Sequence, residues 1–549
     1  MRAADFIVRS LEAHGIERLY CVPGESYLAL LDALHDSNRI NTVVCRHESG
    51  AGFMAVAEAK ATGKPACFAV SRGPGATNGS IAIHVAEQDA LPVVMLVGQV
   101  ARAERGRFSF QEVDYQQFFG GMAKAVWEVS DAEKLAEVMP RAFHTACQGV
   151  PGPVVIVLPE DMLSDAAEAK VSSPWPVARP GAADGDADRV DAMLAEAKRP
   201  VLIAGQVLRT PQGKAALAAF AYAHQVPVAV TWKNQDLFDN RDPLYAGHLG
   251  FGNPPRHRDL LAKADLVIAC GTRLGDVASQ NFTFPAAPEP TQPLIHIYPD
   301  CKPIGRVFRT DLGIVADPAG ILAALASRPA AHAMPRGKWA AEIARFIDGF
   351  MEFKPSSPGD GVDFGRVVMA IARHAPANAT IITDAGNFST WVHRHWRLTP
   401  DNLMLGAIGG AMGFAVPAAC AASMIHPGRM TIAVVGDGGM LMTGQELATA
   451  MAQGAAPKIF LSDNGIYGTI RSHQEKHYPK RVSGTDLHNP DFTQWARSFG
   501  AHVVTIDKSY DIDTAVAAAL AHEGASVVHV HSSRETLSAF TTLSALRGQ

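Results

Sequence analysis

The sequence predicts an α/β protein of three doubly wound parallel-sheet domains, and three observations carry that reading. Short apolar runs rich in β-branched residues alternate with helical patterns along the whole chain. Breaker-rich stretches at Ser172–Asp188 and Lys354–Gly361, with another at Arg328–Arg336, divide those runs into three sets of similar size. Several runs end in glycine turns, where open parallel sheets place ligands. At about 150 residues per domain, 549 residues allow three or four domains. We place them at 1–170, 185–330 and 360–535.

The opening MRAADFIVRSLEAHG is amphipathic with charges throughout, which predicts a first helix and not a signal peptide. The first set of runs includes Ala66–Val70, Val93–Val97 and Val154–Leu158. The second holds Val201–Ala204, Val228–Trp232, Leu266–Cys270 and Leu294–Tyr298. The third holds Thr380–Thr383, Thr431–Val435, Lys458–Ser462, Val503–Ile506 and Val527–Val530. No short-period repeat is visible, and the first and third sets are compatible with one shared fold. Glu48 follows a strand and opens a small-residue helix, where the helix dipole favours a carboxylate. Val70–Gly79 (VSRGPGATNG) is a glycine turn at a strand end, an edge suited to an anion. Gln99 and Gln111 stand out as polar residues beside glycines and aromatics.

The densest signal is Gly436–Ile470, which reads as a glycine turn after a strand, a helix, a second strand and a second turn. Asp437 lies between Gly436 and Gly438, where backbone N–H groups can approach an anion without a Cβ in the way. Thr443 and Glu446 have capping-box spacing, predicting a helix from there to about Gly454. Parallel neighbours bring Asp437 and Asn464 to one carboxyl edge, and a carboxylate with an amide oxygen suits Mg²⁺.

Composition narrows the partners. Hydrophobic residues make up 48% and charged residues 19%, as in a well-buried globular protein, and the net charge of −5 gives no footprint for nucleic acid. Seven cysteines without a CxxC read as small core residues of a reducing compartment. No apolar stretch reaches transmembrane length, so a cytoplasmic protein is expected. No HExxH or Cys/His spacing points to a transition metal, and the pairs His393/His395 and His473/His477 are expected at the surface or behind the site.

Taken together, PGES at 23–26, RHE at 46–48, GPGATN at 73–78, GQV at 98–100, FQE at 110–112, GNFSTW at 386–391, GAMGFAVPAA at 410–419 and the GDG…N block form an ordered set. The chain resembles, from end to end, the acetohydroxyacid synthase-like branch of thiamine-diphosphate (ThDP) enzymes. The resemblance implies a pyrimidine-binding first domain, a diphosphate-binding third domain and a central domain that is regulatory or binds FAD. It implies that Glu48 hydrogen-bonds the aminopyrimidine, that Met412 props the two cofactor rings into a V, and that Gln111 lies near the thiazolium. Mg²⁺ would be held by Asp437, Asn464 and the Ile466 carbonyl, and the diphosphate by Gly386, Asn387, Gly438 and Gly439. Phe110, Gln111, Arg273 and His473 are the implied substrate pocket. The implied reaction is 2-oxo acid decarboxylation with carboligation, in a homodimer or homotetramer whose sites lie between subunits.

The chain departs from that branch in three places. His473 stands where a tryptophan is usual, GNFS at 386–389 where GQHQ is usual, and Ala101 where a proline follows GQV. Arg273, in GTRLGD, matches an arginine linked to the acceptor or FAD. The central domain offers only AGQ at 204–206 and no GxGxxG, which leaves FAD open. The alternative reading is another ThDP lyase or decarboxylase, acting on a 2-hydroxyacyl-CoA, oxalyl-CoA or a sulfonated aldehyde. A non-catalytic subunit is the third. The tail SSRETLSAFTTLSALRGQ is expected to be a lid or a frayed end.

Overall fold

The computed structural model describes residues 1–329, 336–507 and 511–548. The breaker-rich connection at 328–336 therefore lies mostly outside the described residues. The first sheet comprises β1 (Arg18–Cys21), β2 (Asn41–Val44), β3 (Ala66–Val70), β4 (Val93–Gln99), β5 (Ala125–Glu128) and β6 (Val154–Pro159). The second comprises β7 (Pro200–Ala204), β8 (Val228–Thr231), β9 (Tyr245–Leu249), β10 (Leu266–Cys270), β11 (Leu294–Tyr298) and β12 (Leu312–Val315). The third comprises β13 (Thr380–Thr383), β14 (Leu403–Leu405), β15 (Thr431–Gly436), β16 (Lys458–Asp463), β17 (His502–Ile506) and β18 (Ser526–His531).

Every pairing between these strands is parallel. Helices cover both faces, so the inner strands read as unbroken apolar runs; VVMLVGQ of β4 is buried at every position. The first sheet is ordered β2-β1-β3-β4-β6-β5 and the third β14-β13-β15-β16-β18-β17, the same order in local numbering. The central sheet, β12-β11-β10-β7-β8-β9, has the doubly wound order of dinucleotide-binding folds.

The first and third sheets share one core. The Glu48–Thr62 helix packs against the Ala415–Ile425 helix, and Phe53 meets Phe414 edge-on at 5.7 Å. This explains the small residues that follow Glu48. A Cβ at Gly52 would collide with Ala82.

β14 is an edge strand, and buried charges from both other domains satisfy the backbone around it. Asp236 accepts from Met404 N (3.2 Å) while Arg209 donates to Met404 O (2.7 Å). Lys60 donates to Gly406 O (2.7 Å), Lys233 to Ala407 O (3.0 Å), and Asp89 accepts from Ile408 N (2.8 Å). Lys60 and Asp89 also pair at 2.8 Å with both side chains fully buried. Removing one member strands a charge in the interior. Lys60→Met is expected to cost ~3–5 kcal/mol in denaturant unfolding, and a loss under 1 kcal/mol would show that the pair is dispensable.

Candidate active site

The chemistry gathers at the carboxyl edge of the third sheet. β15 and β16 are parallel neighbours, so their ends bring Asp437 and Asn464 together. Asp437 is buried and accepts from Gly438 N (2.9 Å), Gly465 N (2.8 Å) and the Asn489 amide (2.8 Å). Asn489 also donates to Asp463 Oδ1 (2.8 Å), which couples the two carboxylates. Burial, with Asp463 nearby, pushes the Asp437 carboxyl above the usual carboxylate range. A cation there would reverse that shift. One buried carboxylate, one amide oxygen and the Ile466 carbonyl form a hard-ligand donor set, and these residues fit Mg²⁺.

The helix of this segment does not start where capping-box spacing placed it. It begins at Asp437 and runs to Thr443, followed by a tight turn at Gly444–Glu446 and a second helix, Leu447–Ala452. Thr443 gives its hydroxyl to Gly413 O, and the Glu446 carboxylate goes to another domain. Long-range partners took both side chains.

Bare backbone lines the edge. A Cβ at Gly438 would lie 2.5 Å from the Tyr467 ring and 3.4 Å from Met412 Cε, and one at Gly439 3.0 Å from Asp384 Oδ2. Phe388 lies against Gly386 and Gly436, both of which would collide with it if they carried a Cβ. Asn387 donates to Ser472 Oγ (3.0 Å) and accepts from Thr469 Oγ1 (3.0 Å), tying its turn to the Gly468–His477 helix. Asn387 and Asn464 converge on Gly468, at the helix N-terminus, where N–H groups favour an anion. The glycine cradle and the helix end fit a diphosphate.

Met412 is held on both sides. Before it, Gly406 to Ile408 are fixed by Lys60, Lys233 and Asp89. After it, Gly413 N donates to both Asp384 oxygens at 3.0 Å. Burial raises the Asp384 carboxyl to about 6 and lowers fully buried Lys233 to about 8. The unfolded lysine holds its proton up to its ordinary value of 10.5. Between pH 8 and 10.5 the unfolded chain thus binds more protons, and native stability rises with pH. Wild type is expected to gain on the order of 3 kcal/mol relative to Lys233→Met across that window, measured by urea unfolding. Parallel pH profiles would contradict this.

The first sheet carries a separate group. Glu48, half-buried, accepts from Asn78 at 3.0 Å. Gly73 (φ +56°) presses on Gln111 (φ +64°), whose Cβ and carbonyl oxygen would lie 2.8 Å from a Cβ there. Gly73 N donates to the Tyr115 hydroxyl at 2.8 Å. Phe110, beside Gln111, is 74% exposed. Gln99 is structural: its amide bridges Val113 O and Val100 N, both at 2.9 Å.

Other candidates lie elsewhere. Arg273 is held by Glu87 (2.9 Å), roughly 14 Å along the Pro74–Gln88 helix from Asn78. His473 is exposed and stacks on His477 with centroids 6.4 Å apart. His393 and His395 are buried; His393 bonds the Gln235 amide (2.8 Å) and His395 the Met351 carbonyl (3.0 Å). The tail is a strap over the Asn464–Gly465 turn. Arg534 donates to Asn464 O (2.9 Å) and Gly465 O (3.2 Å), and Arg547 pairs with Glu475 (2.6 Å). In the central sheet the turns after β7 and β10 close on each other, Gly205 N to Cys270 O (3.0 Å) and Val207 N to Gly271 O (3.1 Å). Those two N–H groups are therefore paired within the sheet edge.

Sequence reasoning missed Asn78, Asp384, Tyr467, Asn489 and Arg534. Asn78 stood inside the GPGATN run, Tyr467 directly follows Ile466 and Asp384 lies two residues before Gly386, which are usable signals; Asn489 and Arg534 are joined to the site only through space.

Comparison with known proteins agrees with this geometry. Residues 1–118 match the N-terminal TPP binding domain of thiamine pyrophosphate enzymes, 187–325 their central domain and 384–530 their C-terminal TPP binding domain. The chain is 32% identical to the acetolactate synthase isozyme 1 large subunit of Escherichia coli, over 96% of this chain and 93% of that protein. It is 30% identical to the isozyme 2 large subunit, over 96% and 95%. It is also 30% identical to the probable acetolactate synthase large subunit of Methanocaldococcus jannaschii, over 91% and 86%. The chain belongs to the thiamine pyrophosphate enzymes, as a ThDP-dependent member related to the acetolactate synthase large subunits.

Proposed function

We propose that the protein decarboxylates a 2-oxo acid and joins the remaining fragment to a second carbonyl compound, as the names of its relatives imply. The observation that carries the reading is the convergence of Met412, Tyr467 and Gly438 beside Asp437. Asp437, Asn464 and the Ile466 carbonyl would hold Mg²⁺, while Gly386, Asn387, Gly438 and Gly439 would receive the diphosphate. Bound there, ThDP would supply the electron sink that decarboxylation of a 2-oxo acid needs. Glu48 shares a proton with the aminopyrimidine ring nitrogen, and Asn78 orients its carboxylate. Met412 would pack against the bound cofactor, an orienting role worth several kcal/mol. Gln111 and Phe110 face the substrate.

The site is completed by a second copy of the chain. Leu441 and Met442, next to the metal half, are 45% and 44% exposed, and Ile81, on the helix carrying Asn78, is 37% exposed. Apolar surface beside both halves supports a homodimer or a homotetramer built from it. No described helix is long and apolar enough to cross a membrane. The free cysteines suit a reducing compartment, and on that ground we assign the protein to the cytoplasm. No step uses FAD.

Incubation with ThDP, Mg²⁺ and ¹³C-pyruvate, with products identified by NMR, tests the reading. Acetolactate is the expected product. Unchanged pyruvate with ThDP bound would remove pyruvate as donor. The exposed imidazoles of His473 and His477 favour a second reading, in which the acceptor is polar or anionic, such as a CoA thioester or a sulfonated aldehyde.

A further inference from the structure

Glu446 is fully buried, yet no cationic side chain pairs with it among the described residues. Its carboxylate accepts from Arg46 N at 3.0 and 3.2 Å, from His47 N at 3.0 Å and from the Thr449 hydroxyl at 2.6 Å. Arg46 and His47 directly precede Glu48, the first residue of the Glu48–Thr62 helix. Gly50, in the first turn, has no room for a Cβ because the Glu446 carboxylate occupies that space. The N–H groups of the two residues that lead into a helix of the first domain thus find their acceptor in the third. Local capping does not explain this carboxylate, since its hydrogen bonds span about 400 residues of sequence.

We propose that Glu446 is a positioning residue for Glu48, fixing the backbone from which the Glu48 carboxylate projects. Glu446 ends the tight turn that follows the Asp437–Thr443 helix, so one short piece of backbone joins the metal edge to the helix of the acid. In a two-copy site each chain's Asp437 works with the other chain's Glu48. That piece therefore ties the two sites of the dimer together. The inference rests on the reading that Glu48 meets the aminopyrimidine.

The test compares two probes by calorimetry at fixed Mg²⁺ on the full-length protein: ThDP, and the thiazole diphosphate fragment that lacks the pyrimidine. Glu48→Gln is expected to weaken ThDP and leave the fragment unchanged, which checks the underlying reading alone. Glu446→Ala is expected to weaken ThDP about tenfold with fragment affinity unchanged, and hydrogen exchange at the Arg46–Gly50 amides is expected to rise while that of β15 does not. Glu446→Gln keeps one acceptor oxygen for both N–H groups and should restore most of the affinity. Glu446→Asp draws the carboxylate back by one methylene and should show an intermediate loss, deciding the matter if Glu446→Ala does not fold. Equal weakening of both probes would make Glu446 merely structural and overturn the proposal, as would no weakening of either. Loss of selectivity in the Glu446 variants but not in Glu48→Gln would overturn the reading of Glu48 and the proposal with it.

Discussion

Asp437→Ala is expected to abolish Mg²⁺-dependent ThDP binding, raising Kd by ~100-fold or more, while the fold persists. The carboxylate is the charged member of the donor set, and the amide and carbonyl oxygens cannot replace its charge. Truncation leaves Gly438 N without its acceptor, which costs stability, while Gly465 N and the Asn489 amide keep Asp463 Oδ1 at 3.2 and 2.8 Å. It also removes a carboxylate that burial already disfavours beside Asp463. These effects oppose each other, so thermal unfolding without ligand should change little. The diagnostic is linkage: cofactor and Mg²⁺ raise the wild-type Tm, because a ligand at 100 times its Kd stabilises by ~2.7 kcal/mol. The variant should show no such rise. A full Tm response in Asp437→Ala would refute the metal assignment.

The second large effect is on turnover. Glu48→Gln is expected to lower kcat by ~10²–10⁴-fold with little change in KM for the 2-oxo acid. Glutamine has the same shape and can still accept from Asn78, so position is kept while proton exchange and the carboxylate's bond to the aminopyrimidine are lost. Stability should stay within ~0.5 kcal/mol, because the side chain is only half-buried in the single chain. An unchanged kcat would remove Glu48 from the chemistry and revive the idea of a subunit that keeps the fold without the activity.

The sites were legible in the sequence to different degrees. Asp437 and Asn464 were readable because each ends a short apolar run at a glycine turn, and parallel neighbours place such ends side by side. Glu48 was readable as an acid opening a small-residue helix, and its glycines turned out to accommodate Ala82 and Glu446. Asp384 gave no signal beyond its nearness to Gly386: as the residue after a strand it resembles any turn aspartate, and its role comes from Gly413 N arriving from 29 residues later. Glu446 gave a misleading one. Three residues after Thr443 it has the spacing of a local cap, and only packing shows that its acceptors serve another domain. For the pair His393/His395 the sequence left the surface and a buried position behind the site both open, and contacts with the central domain and with Met351 enclose both rings.

The sequence by itself determined the α/β class and the parallel sheets, because strand ends, glycine turns and apolar periodicity are written within a few consecutive residues; the cofactor family came from the resemblance that its ordered motifs carry. Tertiary structure decided which buried charge meets which backbone group. Lys60 finds Gly406 across 346 residues, Glu446 finds Arg46 across 400, and Arg534 returns over the Asn464–Gly465 turn. A buried polar group must find a partner wherever the fold supplies one, since leaving it unpaired costs more than a surface bond returns. Local pattern therefore fixes the elements, and desolvation fixes how they are joined.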